Sequence, residues 1–388
     1  MLLIVFFLLP IAIGNKSSYA YADEEETSAE ETISNVIDGI ELEGYEEYVE
    51  KLNEQYDVSI PDRIKQIVED ILYQRSELNA EYLLKMVIEF FVGNIHSFAM
   101  QACVILIVCI LLSLLKNMSS GFASHSTEKI VYLACYGVIV TIVLSISSTI
   151  IIETTSSIDM LTLFTELVFP PLLTIMTAIG SVSAVGLYHP TLLFFSATLV
   201  TIIKKIVLPL FYLCFVLTIV GHFNEEIKLK KTVKTARSIA EWTLSIFFGI
   251  FSMITTAKGI AGSEMDSFTI RSAKYALSGY VPIVGNYLKE GFDIVVASCI
   301  VVKNAIGVTA IILLLITILS PILKITLAIF TLRITASIAE PFGEIKISNM
   351  LYGVSDCLKL FIILILCVAF SLFIILLLII LSFNGGVA

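Results

Sequence analysis

The residues of this sequence that could do chemistry are ionisable side chains set inside apolar runs. Lys204, Lys205, Lys258, Lys303, Lys324 and Arg333 are such positions, with Glu153, Glu166 and Asp293 as acidic counterparts. A charge in hydrocarbon is costly, so these groups face protein or water, pair with one another, or mark a polar pathway. A lysine or arginine near the end of a run can instead snorkel to the interface, the expected reading for Lys258, Lys324 and Arg333. Lys204 and Lys205 lie near no obvious end and stand as pathway candidates. A second candidate is Ala276–Asn304, ALSGYVPIVGNYLKEGFDIVVASCIVVKN, punctuated by Gly279, Pro282, Gly285 and Gly291 and closing on Lys303. A segment so interrupted does not easily hold a continuous helix. Irregular backbone at membrane depth persists only where protein buries it or water lines it. Two readings stand level: a re-entrant hairpin lining a passage, and an interfacial helix–turn–helix.

No catalytic set accompanies these residues. HExxH, the P-loop, GxSxG and a paired-aspartate intramembrane protease pattern are all missing from the sequence. His96, His125, His189 and His222 lie scattered at the ends of apolar segments without partners at i+3 or i+4, and are expected to be helix-end polar groups. Cys103, Cys109, Cys135, Cys214, Cys299, Cys357 and Cys367 include no CxxC pair and lie in or beside apolar runs, as small core- or lipid-facing residues do. The chain is expected not to be an enzyme, with no catalytic, cofactor-binding or metal-ligating residue.

The elements that must position these charges are helices in lipid. Of 388 residues 57% are hydrophobic and 15% charged, with a mean hydropathy of +0.94, against about 45–50% apolar and about 25% charged in a soluble domain. The net charge of −10 is uneven: Asp23 to Glu89 carries 20 acidic and 5 basic side chains, and the chain from His96 onward 14 and 18. An acidic water-exposed part therefore precedes a slightly basic membrane part, and nothing favours nucleic acid. Residues 1–22 have the apolar run and the Ala20-Tyr21-Ala22 close of a signal peptide, without a basic start. Residues 23–40 read as an acidic flexible lead. Residues 41–95 read as a helical ectodomain, with stripes at Leu42, Tyr45, Tyr48, Val49 and Leu52, and again from Ile64 and from Tyr82. About 55 residues make a marginal core, so this part is expected to pack on the membrane domain or a partner.

Residues 96–388 read as a multi-span membrane domain with a possible re-entrant segment at 276–304. Its apolar runs are Phe98–Leu115, Ile130–Ile152, Leu167–Leu187 broken by Pro170-Pro171, Leu192–His222, Trp242–Ile260, a tight pair Ile306–Ser320 and Ile322–Ile338 around Pro321, and Leu358–Leu381. The fold class is all-α: a polytopic helical membrane protein of about seven or eight crossings with a small N-terminal helical ectodomain. With the ectodomain outside, Lys116 and Lys129 are cytoplasmic. The five cations Lys228 to Arg237 join them only if the Pro170-Pro171 helix or the piece before Lys204 does not cross.

The order of signal peptide, acidic helical ectodomain, FPPLLTIM, LPLFYLCFVLTIVGHF, AKGIAGSEMDSFTIRSAKYALSGYVPIVGNYLKEGFD and a final long apolar run resembles the stage III sporulation protein AE family. The likeness covers most of the chain after Glu41 and is most specific at Ile260–Asn304. The resemblance implies a non-enzymatic membrane subunit of a sporulation-specific secretion or channel complex linking mother cell and forespore, needed for spore development. It implies a multi-pass place in the cell membrane, in the mother-cell-derived outer forespore membrane. The implied partners are the other stage III sporulation proteins of the same group and a forespore-side partner, besides the lipid bilayer. The alternative is a stand-alone secondary transporter, against which stand the ectodomain and the lack of an internal repeat.

Overall fold

The computed structural model describes residues 42–56, 67–68, 80–122, 125–194, 198–223, 229–280, 285–342 and 345–381. The expected signal peptide at 1–22, the expected acidic lead at 23–40 and Pro282 lie outside the described residues, as does most of 57–79. The helices are α1 (Glu43–Tyr56), α2 (Ala80–Phe122), α3 (His125–Leu167), α4 (Phe169–Ala178), α5 (Val182–Phe194), α6 (Leu208–Phe223), α7 (Lys230–Tyr280), α8 (Gly285–Ala339) and α9 (Ile345–Leu381). A π-turn, Ile203–Val207, leads into α6, and a 3₁₀ turn, Glu340–Phe342, follows α8. No strand occurs among the described residues. In lipid every backbone group must be satisfied within the segment, which leaves helices as the solution for runs this apolar.

Six helical stretches among the described residues are long and apolar enough to cross a membrane, where hydropathy alone counts seven or eight segments. The difference has two sources. The expected pair around Pro321 is one helix, α8, which runs straight through the proline. Only the bond to the carbonyl of Thr317 is lost, and packed neighbours in a membrane bundle tolerate that. The expected span Leu167–Leu187 is divided between α4 and α5, of 10 and 13 residues, about 15 and 20 Å against a hydrocarbon core of about 30 Å. Between them Gly180 adopts φ 90°. The Gly180 N–H donates to Thr177 O and the Ser181 N–H to Met176 O, both at 2.9 Å. This is the two-bond helix stop that glycine permits.

The α8–α9 hairpin is the axis of the bundle. The pairs Arg333–Asp356 and Lys303–Ile380 tie its two ends and make it antiparallel. In the most apolar window of α8 83% of residues are buried, against 17% in α2, so α8 is central and α2 peripheral. α6 lies antiparallel to α9, with Phe211 edge-on to Phe361 at 5.8 Å and Thr218 within 3.4 Å of the Cys357 sulfur. α6 is also antiparallel to α3: Lys204 before it meets Asp159, and Tyr136 Oη donates to Ile219 O at 3.1 Å. α2 runs across residue 95 without a break, joining the last expected ectodomain stripe to the first apolar run.

α1 is the one strongly acidic helix among the described residues. Tyr45, Tyr48, Val49 and Leu52 are wholly buried, while Glu43, Glu46, Glu47, Glu50 and Glu54 face out. It lies antiparallel on the second half of α3. Gly44 opposes Leu167 so closely that a Cβ there would stand 2.4 Å from its carbonyl oxygen. Tyr48 packs edge-on to Phe164 at 5.4 Å, and Gln55 reaches Ser156. The apolar stripe, too large for a small domain, is thus covered by the chain's own membrane part.

Candidate functional site

α3 ends its apolar run at Ile152 and continues as Glu-Thr-Thr-Ser-Ser-Ile-Asp, residues 153–159. In a helix this short polar run points in every direction, so it can serve three neighbours at once. Toward α8, Glu153 accepts from Lys324 Nζ at 2.8 Å. Toward the π-turn, Asp159 accepts from Lys204 Nζ. Toward α1, Gln55 Nε2 donates to Ser156 Oγ at 2.6 Å and Tyr56 Oη to Ser157 Oγ at 3.3 Å. The hydroxyls of Thr154, Thr155 and Ser157 donate to carbonyls one turn back, which satisfies them within the helix.

Two turns of α8 before Lys324, Thr317 donates to Leu313 O at 2.7 Å, so the 2.6 Å contact between Tyr48 Oη and Thr317 Oγ1 takes its proton from the tyrosine. This bond sits beside the carbonyl that Pro321 leaves without its helical donor. Burial pushes the Tyr56 phenol up to about 12 against the pull of its bond to Ser157, and raises the Tyr48 and Tyr45 phenols further. Burial disfavours the charged form, so these rings stay neutral well above the ordinary phenol range.

Of the residues singled out from the sequence, Lys204 and Lys205 fall in the π-turn. There the Leu208 N–H reaches back five residues to Ile203 O. Pro209 explains the turn: it has no N–H for the carbonyl of Lys205 and its ring crowds that carbonyl, and a widened turn relieves both. Lys303 lies in α8 at 1% exposure and donates to Ile380 O at 3.2 Å. Gly279 is in the last turn of α7, Gly285 opens α8, and Gly291 lies inside α8, where the helix is uninterrupted. The structure does not gather these residues into one place. Lys204 belongs to the polar junction on α3, and Lys303 to the far end of the hairpin.

Sequence reasoning missed a second ionic cluster. Arg333 donates to Asp356 Oδ1 at 2.8 Å and through Nε to Ser355 Oγ at 3.2 Å, and Lys359 also meets Asp356 at 2.7 Å. Its signal was available as Ser355-Asp356 just before the longest apolar run. It also missed that Tyr48 and Tyr56 aim at α8 and α3. Among the described residues no group of three or more His, Cys, Asp or Glu could hold a metal ion. What the junction can do is join four elements by charge and hydrogen bond at one level of the bundle.

A family model described as stage III sporulation protein AE matches residues 63–383. Stage III sporulation protein AE of Bacillus subtilis (strain 168) is 27% identical over 237 residues, 61% of this chain and 59% of that protein. The match therefore spans less than two thirds of the relative's length. No solved structure matches the chain.

Proposed function

The chain belongs to the stage III sporulation protein AE family, and from that premise we propose that it is a non-enzymatic membrane subunit of a sporulation-specific secretion or channel complex. In this reading it lies in the outer forespore membrane, with α1 outside the mother-cell cytoplasm. Other stage III sporulation proteins and a forespore-side partner surround it.

One observation carries the preference for a subunit over a self-sufficient permease. α8 exposes Ile294 and Val295 at one end and Ile334 and Ile338 at the other, separated by about 60–66 Å along the helix. A hydrocarbon core of about 30 Å cannot hold both ends. One end therefore presents apolar side chains outside the hydrocarbon, which supports a protein partner there. The internal charges agree: Lys303, Lys324 and Arg333 each have a protein partner within the chain, so a conduit would be lined between chains.

Two measurements test this. The full chain isolated from sporulating cells in mild detergent should carry other sporulation proteins with it, and the chain alone in liposomes should take up no solute. Solute uptake by the chain alone would favour the transporter. Normal spore yield after deletion of the gene would remove the sporulation role.

A further inference from the structure

Each lysine of the π-turn stands at the mouth of a different groove. One, of about 590 Å³, runs from Lys205 past Ile206, Leu210 and Leu213 to Val216. The other, of about 370 Å³, runs from Lys204 between Leu208 and the α3 residues Ile151 and Thr155. Pro209 and Tyr212 border both and form the ridge between them. Both grooves face outward, since Ile206, Tyr212 and Leu213 are 45%, 51% and 44% exposed. Lys204 is shared with Asp159, whereas Lys205 is exposed and makes no ion pair among the described residues.

The level of this feature is set by α3. Its least buried, most apolar part ends at Ile152, and the polar junction begins at Glu153, so hydrocarbon gives way to headgroups there. Both grooves lead from the lysines toward the apolar side. An apolar helix of another chain would fill one groove but would leave Lys205 without an anion. A molecule with one anion and two apolar chains fits all parts.

We propose that the π-turn and the start of α6 form a binding site for an anionic glycerophospholipid. The phosphate lies between Lys204 and Lys205, one acyl chain follows each groove, and Tyr212 parts the chains. Asp159 competes for Lys204, so Lys205 carries the larger share of headgroup preference. The site depends on the chain being a membrane protein and not on its role in any complex.

The chain has a single tryptophan, Trp242, so Trp242→Phe with Leu213→Trp leaves one reporter in the larger groove. The full chain is reconstituted in vesicles of phosphatidylcholine doped with either brominated phosphatidylglycerol or brominated phosphatidylcholine. Quenching by the anionic lipid should reach half-saturation at a mole fraction at least about fivefold lower, the preference one lysine near a surface supplies. Lys205→Gln, which breaks no ion pair among the described residues, should abolish most of that preference. Val216→Trp should report the same order if Leu213→Trp does not accumulate. Equal quenching by both lipids, or a preference that survives Lys205→Gln, overturns the proposal. An absence of quenching by either lipid also overturns it and assigns the grooves to a protein occupant.

Discussion

Glu153 and Lys324 meet at 2.8 Å with their side chains 16% and 28% exposed, so each neutralises a charge that its surroundings solvate poorly. Removing one partner strands the other. Lys324→Met should lower the unfolding free energy of the full chain in detergent by about 2 kcal/mol, less than the roughly 3–5 of a fully buried pair. Glu153→Leu with Lys324→Met should recover most of the loss. Thermal unfolding of the two single variants and the double checks it, and simply additive costs would show the residues uncoupled. Tyr56 gives a pH prediction. Its folded value near 12 exceeds the unfolded value near 10, because the buried phenol resists ionisation. The contribution is therefore complete below pH ~10 and is lost as pH rises toward 12. Protease release of the N-terminal segment should rise through that window, and Tyr56→Phe should delay it to higher pH. Release that begins below pH 9 would assign α1 docking to other groups.

Helix ends decide much at the next scale. α9 is described to Leu381, and Ile380 lies in its last described turn. Lys303, from the facing helix, donates a hydrogen bond to Ile380 O. Lys303, which closes the possible re-entrant segment in the sequence, ties α8 to the last described turn of α9, seated close because Gly307 has no Cβ to strike Ile380. Lys303→Met should raise amide exchange over the last turn of α9 by at least about fivefold, roughly the 1 kcal/mol of one such interaction, while α6 stays protected. Unchanged exchange there would show that the bond to Ile380 O does not hold this turn. α1 docks through a similar close approach, so Gly44→Val should push it off Leu167 and expose it to protease without loss of the protein from the membrane. Continued protection would mean that the tyrosines alone hold α1.

For the whole molecule, the contacts constrain which ends share a side. α1 and residues 156–167 lie together, as the two intervening helices α2 and α3 require if both cross. α4 and α5 turn back at Gly180, and the chain then descends α6 from Asp159 toward the level of Tyr136. The start of α7, with Lys231, Lys234 and Arg237, thus stands at the end of α3 that also carries Lys129. This is the arrangement the positive-inside tendency favours. In intact non-sporulating cells made to produce the chain in the cell membrane, Ser28→Cys should react with an impermeant thiol reagent and Thr232→Cys should not. Reaction of both would place the start of α7 outside and require a further crossing between them.

Composition and the 3.6-residue stripes were enough to determine an all-helical membrane protein, the inward face of α1 and most of its apolar runs, because hydropathy and period are local properties. Family membership was legible at Ile260–Asn304 for the same reason: a motif is read along the chain. Proline misled, since Pro321 and Pro170-Pro171 look alike in sequence. Whether a proline ends a helix depends on the neighbours available to cover its freed carbonyl. Only the tertiary structure decided the partners of Lys204, Lys303, Lys324 and Arg333. Each lies more than 20 residues from its partner, and a charge in an apolar run shows its cost but not the group that will neutralise it. The smaller groove beside Tyr212 exists only because the π-turn and the start of α6 meet α3 at Ile151 and Thr155, a contact that no spacing of residues encodes.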